Sequence, residues 1–322
     1  MTSQSQRPLP DVEASDLKRH LDALAAEVDP VQGIFGPGSL MWMVGRESVL
    51  VLAGGRAALL QLAHPYVAQG VAHHSEVLAD VQGRFRRTLS YVYNMTFGDL
   101  DSALNLSRRV FALHRRVNGR LEDSAGRYAQ GDRYTALDPH ALFWVAATLW
   151  DTSILIFEKT IRPLSRLEKH RYYQEAKVFA RLFAIPDEAI PPDWDAFRRY
   201  FDRMLVSSTL AVSPAAKTLA QSVFTAPRPA AEPLFAWMRV FTAGLMPGHL
   251  REAFDLPFTP RERAVYAASI RAMKLGLHRL PAPVRFCPAY QNAGRRLRGE
   301  EGIDPVSDFM AKGLLTLLDR RT

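Results

Sequence analysis

A single cysteine, Cys287, stands in 322 residues. One thiol excludes an internal disulfide framework and any cysteine-built zinc or iron–sulfur site. A metal would have to rest on histidine, carboxylate or a bound cofactor. Long uncharged apolar runs are missing too. The best candidate, Ser48 to Ala63, is broken by Gly54, Gly55 and Arg56, so no transmembrane helix is expected. The first 28 residues are polar, without the apolar stretch of a signal peptide, and a cytoplasmic location is the expectation. No phosphate-binding glycine loop, serine-hydrolase elbow or HExxH zinc motif occurs. Zinc-finger, RNP and basic-zipper patterns are likewise lacking.

What is present is apolar and basic. Hydrophobic residues make up 48% of the chain, enough for a large core. Lys and Arg total 41 against 33 Asp and Glu, a formal charge of +8. The arginines are scattered, and only Arg295, Arg296 and Arg298 cluster tightly. That pattern reads as a solvated cationic surface and predicts no nucleic-acid partner. A peripheral contact with an anionic membrane is compatible with the charge, but no basic amphipathic helix argues for it.

Strand-like alternation is scarce, and the pattern predicts an all-α chain with no hairpin. Helix starts are plentiful. Ser165-Arg166-Leu167-Glu168 and Thr259-Pro260-Arg261-Glu262 read as capping boxes, and Ser213-Pro214 as a third start. Helices are expected near 15–28, 47–63, 64–75, 80–97, 99–124, 138–160, 165–184, 194–208, 213–224, 229–246 and 260–278. Residues 31–39 and 280–288 read as turn and loop. Trp194, Phe197, Phe201 and Leu205 share one stripe of a helix. With no repeat and no linker, the expectation is a mobile tail over 1–14 and one helical domain over 15–322.

The candidate chemistry lies between Gly54 and Gly119. His114 sits on an apolar stripe with Leu106, Val110, Leu113, Val117 and Leu121 and is expected to point inward. An inward imidazole is commonly just a hydrogen-bonded core residue; it is also a competent iron ligand. Arg84 and Thr88, four apart, share a helix face, where a guanidinium near the core calls for an anionic partner or a route to water. His64, His73, His74 and Glu76 could instead hold a non-haem metal, or be exposed rings. Gly54 and Gly55 cost roughly 1 kcal/mol each inside a helix, which implies close approach of a neighbouring helix or a flat ligand. Cys287, between Phe286 and Pro288, has no partnering histidine pattern and is not read as a nucleophile.

Three strings carry a resemblance: LLQLAHPYVAQGVAHHSE (59–76), DVQGRFRRTLSYVYNMTFGD (80–99) and FALHRRVNG (111–119). With the stretch from Tyr134 to Phe183 and WDAFRRYFDRML (194–205), they are similar to the haem-dependent oxygenase family of MpaB and rubber oxygenase. The resemblance runs from about 36 to 205 and more loosely to about 276. It implies an all-α, globin-like core holding haem b, with His114 as the proximal iron ligand. It also implies Arg84 and Thr88 beside the haem, Arg87 at a position where the rubber-cleaving branch has lysine, and His74 among the cofactor's surroundings. The implied activity is an oxygenase using O₂ on an apolar or amphipathic small molecule, unsaturated ones included, with an unidentified electron donor. The chain departs from that branch at Ala68, where a glutamate serves as base; Glu76 and Glu47 are the nearest carboxylates in sequence. Trp144-Val145-Ala146-Ala147 lacks a histidine that many bacterial relatives carry. Two rival readings are a non-catalytic haem or apolar-ligand carrier or sensor, and a non-haem iron site built from His64, His74 and Glu76.

Overall fold

Polar side chains placed one residue before each apolar stripe set the helix starts. Ser165 Oγ accepts from the Glu168 N–H while Glu168 reaches back to the Ser165 N–H, and Thr259 and Glu262 do the same. Ser213 caps the next helix through the Ala216 N–H, with Pro214 at the first helical position. The computed structural model describes residues 9–74 and 81–300. Its helices are α1 (Ala14–Glu27), α2 (Leu40–Gly45), α3 (Gly54–Leu62), α4 (Pro65–His74), α5 (Val81–Phe97) and α6 (Leu100–His114). After a two-stranded hairpin come α7 (Pro139–Thr160), α8 (Arg166–Arg181), α9 (Trp194–Leu205), α10 (Pro214–Val223) and α11 (Glu232–Leu245). The short α12 (Gly248–Ala253) precedes α13 (Pro260–Gly276), α14 (Ala282–Arg285) and α15 (Pro288–Leu297).

The chain is a mostly helical single domain built around α7. On this helix Phe143, Trp144, Ala147, Ile154, Ile156 and Phe157 are buried, and α2, α3, α8 and α13 pack against it. By length and composition α7 could cross a membrane, a property expected of no segment from the sequence. Most of it is buried in the domain, and it carries Asp151 in a buried ion pair with Arg56. The α9 stripe behaves as its spacing predicts: Trp194, Phe197 and Phe201 are buried, with Phe197 stacked on Tyr173 and Phe201 on Trp144.

Several expectations need correcting. The apolar segment 47–63 is not one helix: Ser48–Ala53 forms a 3₁₀ stretch and α3 starts only at Gly54. Here the second glycine is required, because a Cβ on Gly55 would collide with Thr242 Oγ1 of α11. The helix expected over 99–124 stops at His114. Residues Asn118–Arg120 (β1) and Arg133–Thr135 (β2) then pair antiparallel, with Gly119 opposite Tyr134. The chain is therefore not purely α. A Cβ on Gly119 would lie 2.8 Å from the Tyr134 hydroxyl oxygen, so glycine sits in the strand rather than at the turn. The tail expected over 1–14 is anchored before its end, since Val12 is buried and its N–H donates to Leu137 O. In the late loop, Cys287 precedes α15, which packs on α5 through Tyr290 and Phe97, with Trp42 of α2 against both rings. The arginine cluster in α15 is structural: Arg296 donates to Val31 O and Phe97 O, and Arg298 pairs with Glu300.

Candidate functional site

Arg84 and His114 are 30 residues apart in sequence, and a helical hairpin brings them together. α5 ends at Phe97 and α6 begins at Leu100, with Asp99 capping α6 through the Ser102 N–H. Arg84 lies 97 − 84 = 13 residues before that turn and His114 lies 114 − 100 = 14 residues into α6. Two packed helices folding back on a two-residue link place such positions side by side. On α6 the inward stripe is Ala103, Ser107 and Val110, all buried, and His114 continues it one turn later. Leu113, expected on that stripe, is instead 48% exposed, and Leu121 is buried from the hairpin rather than from a helix.

The electrostatics follow from this juxtaposition. Burial, and then the Arg84 guanidinium, push the His114 imidazole down to about 4. His114 is therefore neutral near pH 7. Its surface is partly exposed, yet dense protein surrounds the ring. Neither ring nitrogen has a hydrogen-bond partner among the described residues, so an imidazole lone pair is available. Arg84 is half-buried and its own pKa is lowered, by desolvation first and then by Arg87. Arg87 and Thr88 are exposed. The structure thus joins His114 to Arg84, with Arg87 and Thr88 on the outer side of the same helix.

The other histidines are committed elsewhere. His74 is exposed, with Nε2 held on the Asn118 carbonyl. His73 Nδ1 meets the Tyr134 hydroxyl at 2.9 Å, and its Nε2 meets Glu122 Oε1 at 2.8 Å and the Gln69 amide at 2.6 Å. His64 is buried, with Nε2 3.2 Å from the Tyr128 hydroxyl; burial drives its pKa to about 3. Ten residues of helical rise, about 15 Å, separate His64 from His74, too far for one metal ion. Among the described residues no group of three potential ligands forms, and Glu76 lies outside them. Of the two remaining carboxylate positions, Ala68 is fully buried, and Glu47 is buried in a bidentate pair with Arg285 at 2.9 Å. Cys287 is buried, and burial pushes its thiol up to about 12.

Sequence reasoning missed the Tyr134–His73–Glu122 chain. Its members lie in β2, in α4 and in the hairpin loop, and no local spacing links them. The Asn118-Gly119 pair, a turn signal by type, lies within β1 and not at the turn, so it does not mark this hairpin. Two surface clefts lie away from this region. One of about 380 Å³ is bounded by Gln221, Phe224, Arg239 and Phe254, and one of about 320 Å³ by Trp42, Arg46 and Tyr290.

The mostly helical domain thus sets a neutral histidine opposite an arginine across a helical hairpin. Residues 41–275 match the family described as ER-bound oxygenase mpaB/B'/Rubber oxygenase, catalytic domain. That is well over half the chain, and the chain belongs to this family of oxygenases. Neither the curated proteins nor the solved structures contain a match.

Proposed function

We propose that this chain is an oxidoreductase, a haem b-dependent oxygenase in which His114 would hold the iron. The observation that carries the reading is the neutral, unpartnered His114 imidazole facing Arg84, within a chain of the oxygenase family. The donor set fits: a haem needs one lone pair for iron and cations for its carboxylates, and these residues offer both. His114 would hold the iron, in a globin-like arrangement between α5 and α6. Arg84 would face a propionate, and the exposed Arg87, Thr88 and His74 would lie toward the cofactor's solvent edge. Haem iron bound there would supply O₂ activation. The residues themselves keep the imidazole neutral down to about pH 4 and hold positive charge beside it. The buried Val110 and Phe111 exclude water from the inner side and favour an apolar or amphipathic small molecule.

A second reading, a haem or apolar-ligand carrier or sensor, is favoured by one observation. Ala68 replaces the glutamate of the rubber-cleaving branch, and Glu47 is locked by Arg285. Both readings share the cofactor and part over turnover. Protein from haem-supplemented cells is expected to show a Soret band and about one haem per chain by pyridine haemochrome, the one-ligand stoichiometry of a single axial histidine. His114→Ala should lose most of both. Full haem content and an unchanged spectrum in that variant would sink the assignment. Substrate-dependent O₂ uptake with a reductant separates the oxygenase from the carrier.

A further inference from the structure

We infer that Tyr134 is a redox-active tyrosine: it gives an electron to a strong one-electron oxidant and its phenolic proton to His73 Nδ1, with Glu122 holding the imidazolium that forms. The inference rests on the oxygenase reading only for the identity of the natural oxidant.

The geometry is that of a proton-coupled pair. Tyr134 is buried, with its hydroxyl 2.9 Å from His73 Nδ1. On the far side of the ring, His73 Nε2 lies 2.8 Å from Glu122 Oε1. Glu122 is largely exposed and ionised, its carboxyl held below the usual range by the His73 hydrogen bond. A carboxylate at that distance fixes the proton on Nε2, so Nδ1 is left to accept from Tyr134. The Gln69 amide nitrogen also lies 2.6 Å from His73 Nε2, while Gln69 Oε1 accepts from the Glu122 N–H, which ties Gln69 to the same His73–Glu122 pair. On oxidation the Tyr134 O–H bond breaks, an N–H bond forms on His73, and one electron leaves to the oxidant. The product is a neutral phenoxyl radical beside an imidazolium–carboxylate pair. Neither a free phenol radical cation nor an unpaired buried charge has to form, and avoiding that charge lowers the potential of the step.

Tyr134 is also placed to receive the oxidising equivalent and to pass it on. Its ring is 6.3 Å from that of His74, and strand β1, which begins four residues after His114, runs directly beneath its hydroxyl. In the other direction the Tyr66 ring lies 6.4 Å away, and Tyr66 lies 4.6 Å from Tyr128. Tyr128 in turn contacts buried His64, whose pKa of about 3 makes it a poor proton acceptor. The radical therefore settles on Tyr134, whose phenolic proton has His73 backed by Glu122 to receive it, and Tyr66 and Tyr128 act as its neighbours. An oxygenase generates equivalents that can outrun its substrate, and a ladder of this kind draws them away from the site.

The test uses the full-length protein and a photogenerated ruthenium(III) tris-bipyridine oxidant, so it reads Tyr134 whether or not haem binds. Wild type is expected to give a long-lived tyrosyl radical by transient absorption and electron paramagnetic resonance, with a solvent deuterium effect on its formation. Tyr134→Phe should remove that species. His73→Asn keeps an acceptor but cannot take the proton, and should slow radical formation by about ten-fold, the scale of one charge-assisted hydrogen bond. Glu122→Gln lies on the surface, leaves folding intact, and should slow it in the same direction. No radical in wild type, the same radical in Tyr134→Phe, or unchanged rates in both His73→Asn and Glu122→Gln would each overturn the inference. Adding hemin and peroxide afterwards asks separately whether the natural oxidant is haem.

Discussion

His64 and His114 are both held neutral by burial, His64 at about 3 and His114 at about 4, against 6.5 when free. The consequence for stability has a definite sign. Between pH 6.5 and about 4 the unfolded chain binds protons at these positions and the native chain does not, so stability falls as pH falls through that window. Above pH 6.5 neither group contributes a slope. The melting temperature should drop between pH 6.5 and 4, and His64→Leu should flatten part of that drop, because it deletes the group with the largest depression. A melting curve for that variant as steep in pH as wild type would show that His64 is not the source. For His114 the same depression suits the proposed role, since an imidazole that resists protonation would keep its lone pair for a ligand.

At the scale of elements, the legible features were those in which neighbours in sequence are also neighbours in space. Both capping boxes formed at Ser165 and Thr259 because the partners are three residues apart. The α9 stripe was legible for the same reason. Thr259→Ala should therefore cost about 1 kcal/mol by urea unfolding, the usual worth of a side-chain cap, with the cofactor region unaffected. A change below the error of the fit would mean that packing of α13 on α11 alone holds that end. Features that depend on distant partners were not legible. Nothing local stops α6 at His114; what stops it is β1 finding β2 some fifteen residues later and Val117 packing near Gly70 of α4. Likewise the segment 280–288 looks like a loop from its prolines, yet Glu47 and Arg285 clasp it to the front of α3. The site divides along this line. His114 and Arg84 could be named from sequence through the family resemblance, whereas their facing each other follows from the α5–α6 turn, and the Tyr134–His73–Glu122 chain needed the hairpin.

For the whole molecule, one buried cluster ties together the helices on which the site's scaffold rests. Arg56 of α3 pairs with Asp151 of α7 at 2.7 Å, donates to Thr152 Oγ1 at 2.6 Å, and reaches the Leu245 carbonyl at the end of α11 at 3.0 Å. Arg198 of α9 closes on the other Asp151 oxygen and lies over the Phe201 ring. Asp151 thus answers two guanidinium groups. Replacing it removes one charge and leaves Arg56 buried without a counterion, an asymmetry that makes single deletions far costlier than the pair is worth. Asp151→Ala should lose about 3–5 kcal/mol in urea unfolding, the range for breaking a buried pair from one side. The double change Arg56→Met with Asp151→Leu should recover a good part of that loss, because no charge is then left in the core. If the double variant is as unstable as Asp151→Ala, the cost comes from lost contacts among α3, α7, α9 and α11 rather than from the stranded arginine. The same cluster bears on α7. Its composition would suit a lipid bilayer, but Asp151 and Thr152 are answered there by Arg56 from α3, and by Arg198 from α9 for Asp151, so the helix meets its polar partners inside the domain.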